Sequence, residues 1–423
     1  MSRLSIPASA KSWIEVSPES HFPIQNLPVG VAAIDYEDGT SEIFNCVPVG
    51  DVVVNIDMLS QEGLIPEFEG FPLAPWSVFG GQESLREVRR AVFERLEESN
   101  SKLRDHAGLR EAAIHERANV VPLMPMKVSA FVDFYSGINH ASNVGRMFRP
   151  DQPPLLPNYR HLPVAYNGRA SSVVPSEHDI TRPKGQFKVG DDLHFGSTRE
   201  LDFELEVGFF VANDSDMGDP IPIRDCEDYM LGMVLVNDWS ARDVQRWEYQ
   251  PLGPFLAKSF ATSISPWIVS FDALEQFRIA GAEQEPPVLP HLQAPDKAHY
   301  DIQLEVAIQT AKMTSPQVIC RSNTKHLYWS FVQQLAHQSS NGTPLEIGDL
   351  YGSGTISGET EDSFGSLLEL TWRGTKPLTM LETGENRTFL EDGDTLIMTG
   401  WGQADGYRIG FGEVRTTIEP SPA

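Results

Sequence analysis

Leu201 to Val207 reads Leu-Asp-Phe-Glu-Leu-Glu-Val, a strict alternation. On a strand it turns Asp202, Glu204 and Glu206 to one face and the apolar side chains to the other. Two glutamates two residues apart can converge on one cation, although the same pattern fits an exposed strand edge with solvated acids. A second cluster, Asp133-Phe134-Tyr135-Ser136-Gly137-Ile138-Asn139-His140 followed by Arg146 and Arg149, gathers an acid, a phenol, an imidazole and two guanidinium groups. An imidazole in that company can take a proton near neutral pH. Histidines are mostly structural, and His140 is distinguished from the others of the 11 only by its neighbours.

The apolar run Leu231 to Val236 ends at Asn237-Asp238, after which Asp238, Arg242, Gln245 and Tyr249 fall four, three and four residues apart. On a helix they form one polar stripe, in which Asp238 could equally be an N-cap that pairs with Arg242. The stripe leads into Pro251-Leu252-Gly253-Pro254-Phe255-Leu256-Ala257-Lys258, a turn that ends in a lysine among apolar neighbours. Such a lysine needs a counter-charge or a chemical purpose. Asp133, Glu204, Glu206 and Asp238 offer oxygen alone, so a metal gathered by them would be hard, Ca²⁺ or Mg²⁺ rather than zinc. The run Gly352-Ser353-Gly354-Thr355-Ile356-Ser357-Gly358 lacks the lysine and the following helix of a phosphate loop and reads as a glycine-rich turn. Walker A, HExxH and CxxC motifs, and a GxGxxG opening a helix, are absent from the sequence.

The elements that must position these residues belong to a chain of 423 residues, enough for two or three domains. Hydrophobic residues at 40% and aromatics at 9% are those of a globular protein and exclude wholesale disorder. Lys+Arg 33 against Asp+Glu 59 leaves a net charge of −26, which repels nucleic acid and anionic membranes. Cys46, Cys226 and Cys320 lie too far apart for a zinc knuckle and suit a reducing compartment. No apolar run reaches the ~18 residues of a membrane span, and Met1 to Ala10 lacks the layout of a signal peptide. A cytoplasmic location is the expectation.

From Gly30 to Met58, the β-rich stretches Val31 to Asp35 and Val52 to Met58 flank the turn signal Asp38-Gly39, and Pro/Gly-rich sequence from Pro66 to Gly81 closes this small β module. Glu83 to Glu98 carries Leu85, Val88, Val92 and Leu96 at helical spacing, with the charged positions turned to solvent. After Val120 the texture changes to short β-like runs and Gly/Pro turns without long helices, which argues against a βαβ sheet. The expected boundary lies near residues 118–125, dividing the chain into 1–120 and 121–423.

Several stretches resemble the fumarylacetoacetate hydrolase superfamily: Asp133-Phe134-Tyr135-Ser136 with His140 and Asn143-Val144-Gly145; Gly168 to Ser172; Leu201 to Glu206; Asn237 to Phe260; Ser353 to Gly358; and Asp405 to Gly412. They run from residue 133 to 412, and the Asn237 to Phe260 block is very specific. The resemblance implies a mainly β fold with some α, in which a small SH3-like amino-terminal β domain precedes a large β-rich carboxy-terminal domain peculiar to the superfamily, working as a homodimer. It also implies hydrolysis of a carbon–carbon bond in a β-diketone: fumarylacetoacetate gives fumarate and acetoacetate, the last step of tyrosine breakdown. On the same resemblance Asp133, Glu204, Glu206 and Asp238 would hold Ca²⁺, and Asp238, Lys258 and Thr262 would mark a Mg²⁺ position. His140 would be the base that activates water, oriented by Glu369. Tyr135, Arg149, Gln245, Tyr249 and Thr355 would contact substrate, with Arg242 and Lys258 stabilising developing charge. Asp202 shares the acidic strand face but has no role in the resemblance. Asn167, Ala261 and Trp401-Gly402-Gln403-Ala404 depart from the family pattern without removing a ligand or the base. Alternatives in the same superfamily are an acylpyruvate hydrolase or an oxo-dienoate hydratase, both smaller proteins. A Ca²⁺-stabilised scaffold is disfavoured, because a structural cage needs neither His140 nor Lys258.

Overall fold

A computed structural model describes residues 3–36, 39–66 and 81–423. The strand Gly30–Asp35 pairs antiparallel with Ser41–Val49, from Gly30 opposite Cys46 to Asp35 opposite Ser41. This second strand was not expected, because polar Ser41 and Glu42 and the internal Pro48 weaken its β signal and the pairing on both sides decides instead. The expected strand Val52 to Met58 is split. Val52–Asn55 pairs with Ser41–Val49, whereas Ile56–Gln61 is helical because the Asn55 side chain accepts from the Met58 N–H and caps it. Ile114–Glu116 and Val121–Pro122 complete a five-stranded sheet at its two edges. Asp38 of the turn signal and residues 67–80 of the Pro/Gly-rich closure lie outside the described residues.

The helix Gly81–Leu96 buries Leu85, Val88, Val92 and Leu96 as their spacing requires. Arg89 corrects the expectation of a solvated charged face. It lies four residues after Leu85 on the inward side, is 1% exposed, and donates to the carbonyls of Gln25 and Asn26.

The larger part is built on an eight-stranded sheet. Its order is Ala165–Asn167, Phe131–Phe134, Leu350–Gly352, Leu205–Val211, Met230–Asp238, Thr262–Ile264 and Val173–Pro175, with Val269–Ser270 also paired to Met230–Asp238. A second sheet, Gln317–Asn323, Gln303–Gln309, Thr395–Ala404, Tyr407–Glu419 and Ile180–Thr181, shares with it a core that includes Val207, Leu235, Leu304, Met398 and Phe411. The molecule is therefore mainly β with some α, and the described residues show no βαβ layering. No helix among the described residues is long and apolar enough to cross a membrane.

The registers of the eight-stranded sheet bring distant residues to one end. Asp133 stands opposite both Gly352 and Tyr166, and Asp238 stands opposite Thr262. Phe131–Phe134, Leu350–Gly352 and Met230–Asp238 run in one direction and deliver Asp133, Gly352 and Asp238 at their carboxyl ends. The oppositely directed strand from Leu205 brings Glu206 to the same end.

His21 joins the amino-terminal segment to the hairpin of Thr395–Ala404 and Tyr407–Glu419. Asn26 donates to the carbonyls of His21 and Gly410, both at 2.8 Å, and the His21 ring lies 5.9 Å from that of Trp401. Burial, aided by the Arg408 and Arg117 charges and opposed by a hydrogen bond with the Gly412 backbone, lowers the His21 pKa from 6.5 to about 4. The unfolded chain thus protonates first, so stability is lost as pH falls from 6.5 towards 4. The shift corresponds to about 3 kcal/mol. Urea titrations are expected to give His21→Gln a shallower loss of stability across that window than wild type, and equal slopes would remove His21 as the cause.

Candidate active site

The alternating segment from Leu201 is two strands: Leu201–Asp202 pairs with Ser240–Ala241, and Leu205–Val211 enters the eight-stranded sheet. Every residue from Leu201 to Val211 is buried, which overturns the exposed-edge alternative: the apolar side chains enter the shared core, and Arg242, Lys258, Gly354 and the backbone of Leu367 and Leu368 cover the acids. Asp133, Glu204 and Glu206 each offer a carboxylate oxygen within 4.8 Å of the others. Burial first, then mutual repulsion among the acids, raises the pKa of Asp133 and Glu206 well above the usual carboxylate range. Burial acts the same way on Glu204, but Lys258 and Arg242 override it and hold its pKa at about 2.

Asp133 Oδ1 and Glu206 Oε1 are buried with no hydrogen-bond partner among the described residues. Unpartnered, closely spaced, all-oxygen donors fit a hard divalent cation, which would supply the missing charge compensation. The glycine-rich turn makes room for this geometry. A Cβ at Gly352 would stand 2.8 Å from Asp133 Oδ1 and 2.9 Å from Glu206 Oε2. Gly354, at φ +78°, donates its N–H to Glu206 Oε2 at 3.1 Å.

Asp238 ends its strand instead of capping a helix, and the helix Arg242–Glu248 begins four residues later after Ser240–Ala241. The polar stripe therefore starts at Arg242, and the expected Asp238–Arg242 pair is replaced. Asp238 accepts from Thr262 Oγ1 at 2.8 Å, Lys258 Nζ at 2.9 Å and the Tyr166 hydroxyl at 2.5 Å. Lys258, 4% exposed on the helical turn Leu256–Ser259, also donates to Glu204. Burial alone would lower its pKa, but Asp238 and Glu204 raise it and keep the ammonium charged. Arg242 reaches Asp202 Oδ2 and Glu204 Oε1, each at 2.8 Å.

His140 lies in the helix Ile138–Phe148, and its Nδ1 is 2.6 Å from Glu369 Oε2. Glu369 also accepts from Asn143 at 2.9 Å, Ser357 at 2.8 Å and the Ser366 hydroxyl at 2.9 Å. Burial would raise the Glu369 pKa, but His140 and these hydrogen bonds lower it, so the carboxylate stays ionised and fixes the imidazole.

These groups meet at a cavity of about 390 Å³ whose lining includes Asp133, His140, Glu204, Arg242 and Lys258. Tyr135, Arg149, Gln245, Tyr249 and Thr355 line it too, whereas Glu206, Asp238, Thr262 and Glu369 stand behind the wall. Thr355 Oγ1, Arg149 Nε and Arg242 Nη2 are buried without a protein partner among the described residues, which leaves them for a polar ligand. Sequence reasoning missed Tyr166, whose only signal is its register opposite Asp133, and the hydroxyls of Ser357 and Ser366 around Glu369.

The family model described as fumarylacetoacetate (FAA) hydrolase C-terminal matches residues 129–419. The chain is 43% identical over 427 residues to the fumarylacetoacetase of Arabidopsis thaliana, covering 98% of this chain and 100% of that protein. It is 44% identical over 418 residues to the fumarylacetoacetase of Bos taurus, covering 97% of this chain and 99% of that protein. A solved fumarylacetoacetate hydrolase from psychrophilic Exiguobacterium antarcticum superposes with a TM-score of 0.51 at 15% identity, over 93% of this chain and 99% of that one, a likeness of fold.

Proposed function

This chain belongs to the fumarylacetoacetate hydrolase family and hydrolyses the carbon–carbon bond of fumarylacetoacetate to fumarate and acetoacetate; we propose that the reaction runs in the cavity between His140 and the acidic cluster. The observation that carries this reading is the 2.6 Å His140–Glu369 pair on the cavity that Asp133, Glu204, Lys258 and Arg242 also line.

Glu369 holds Nδ1 of His140, which leaves Nε2 to take a proton from water. The resulting hydroxide attacks the substrate carbonyl, the adjacent carbon–carbon bond breaks, and its electron pair leaves with acetoacetate as an enolate. His140 returns the proton to that carbanion, so water is consumed and no redox change occurs. Lys258 and Arg242 face the charge as it develops, while Tyr135, Arg149, Gln245, Tyr249 and Thr355 bind the polar ends of the substrate. Held by Asp133, Glu204, Glu206 and Asp238, Ca²⁺ would polarise the diketone oxygens when bound. Thr262 and Asp238 suit a second, Mg²⁺ position, with Lys258 as its charged neighbour, since an ammonium has no lone pair to give.

The proposal extends to a cytoplasmic homodimer of two-domain chains divided within residues 118–125, after Val121–Pro122, which pairs into the amino-terminal sheet, rather than at 120/121. The three cysteines support a reducing compartment, being free and buried. The net charge of −26 supports a small molecule rather than nucleic acid or a membrane surface as partner.

Chelator-treated protein is expected to lose the decay of fumarylacetoacetate absorbance and regain it with Ca²⁺ or Mg²⁺. In wild type the same ions should raise the melting temperature, by about 2.7 kcal/mol of stabilisation at 100 times Kd. Glu206→Ala should show neither response, and an unchanged Ca²⁺-dependent melting shift in that variant would remove the carboxylate cage.

A further inference from the structure

Asp202 was set apart above as an acid with no role, yet it is 0% exposed and its four hydrogen bonds reach two parts of the site. Oδ1 accepts from the N–H groups of Leu367 at 2.7 Å and Phe203 at 2.8 Å. Oδ2 accepts from Leu368 N at 3.0 Å and from Arg242 Nε at 2.8 Å. Leu367 and Leu368 open the helical turn Leu367–Leu370, which carries Glu369, and Ser366 accepts from the Glu369 N–H at the start of that turn. A single carboxylate therefore touches the backbone that presents the partner of His140 and the guanidinium that reaches Glu204.

Burial pushes the Asp202 pKa up, while Arg242 and the two backbone N–H groups oppose the shift. All four groups facing the carboxylate are donors, so an amide in its place must set its NH₂ against two of them, whichever way it turns. In either orientation one of the two is an N–H of the Glu369 turn, Leu367 at the Oδ1 place or Leu368 beside Arg242 at the Oδ2 place, so loss of Asp202 misplaces that turn, and Arg242 with it in the second case, without removing an acid of the cluster.

We propose that Asp202 is a positioning residue that holds Glu369, and through it His140, in fixed registry with Arg242. The proposal rests on the acid–base reading of His140 and Glu369 given above. A displacement of about 1 Å at a reacting group can cost about 10²-fold in rate, and that is the loss expected in kcat for Asp202→Asn, with KM changed less than about threefold.

Double-mutant cycles on the full chain test it. If Asp202 acts through both arms, the loss caused by Asp202→Asn should shrink to about tenfold in a Glu369→Gln background and likewise in an Arg242→Gln background. A merely structural carboxylate would lower the melting temperature and multiply the defects unchanged. An undiminished loss in either background, or a loss below threefold in wild type, overturns the proposal while leaving the acid–base reading in place. A fully active Glu369→Gln overturns both. Should Asp202→Asn fail to fold, Asp202→Glu, which keeps the charge opposite Arg242 and lengthens the arm by one methylene, carries the same cycles with the same outcomes.

Discussion

Turnover of fumarylacetoacetate by His140→Ala is expected to fall by at least about 10²-fold, the contribution of a positioned general base. Metal binding and the melting temperature should stay close to wild type, for a reason visible around Glu369. When the imidazole is removed, that buried carboxylate still accepts from Asn143 Nδ2 at 2.9 Å, Ser357 Oγ at 2.8 Å and Ser366 Oγ at 2.9 Å, so neither oxygen is left without a donor. The ring itself packs edge-on to Tyr135 at 5.3 Å between centroids, a contact whose loss costs only about 0.5–1.5 kcal/mol beyond the buried area. Steady-state rates, Ca²⁺ titration and a melting curve on one preparation separate these terms. Activity above about a tenth of wild type would take the base role from His140.

Lys258→Met should lower kcat by about 10²–10³-fold with KM nearly unchanged, because the ammonium acts on charge that exists only as the carbon–carbon bond breaks. This variant carries a second, separable defect. Lys258 is the shared counter-charge of Glu204 and Asp238, and removing one partner of a buried ion pair costs about 3–5 kcal/mol. Part of that loss is limited here, because Glu204 keeps Arg242 and Asp238 keeps Thr262 and Tyr166. Saturating Ca²⁺ should therefore restore the melting temperature without restoring kcat. Recovery of both together would reduce Lys258 to a structural neutraliser, and a defect confined to KM would make it a substrate-carboxylate ligand.

The chemistry of these positions was legible in the sequence because it resides in side-chain type and short-range order. Oxygen-only acids offer ligands that suit a hard cation, a lysine among apolar residues requires counter-charges or a chemical purpose, and the glycines from 352 to 358 mark a turn. Helical spacing was equally local: Leu85, Val88, Val92 and Leu96 face inward as their period demands. Pairing was not local. The acidic strand could be read as an exposed edge until neighbours on both sides made Leu205–Val211 an interior strand, and Ser41–Val49 became a strand only through its two neighbours. Asp238 looked like a cap for Arg242, but strand register opposes it to Thr262 and gives Arg242 to Asp202 and Glu204. His140 meets Glu369 across 229 residues of sequence, and Tyr166 meets Asp238 across 72. Such contacts are set by strand order and register, which depend on packing summed over the whole core. Residue type therefore determined what each group can do, and tertiary structure decided which partner it does it with.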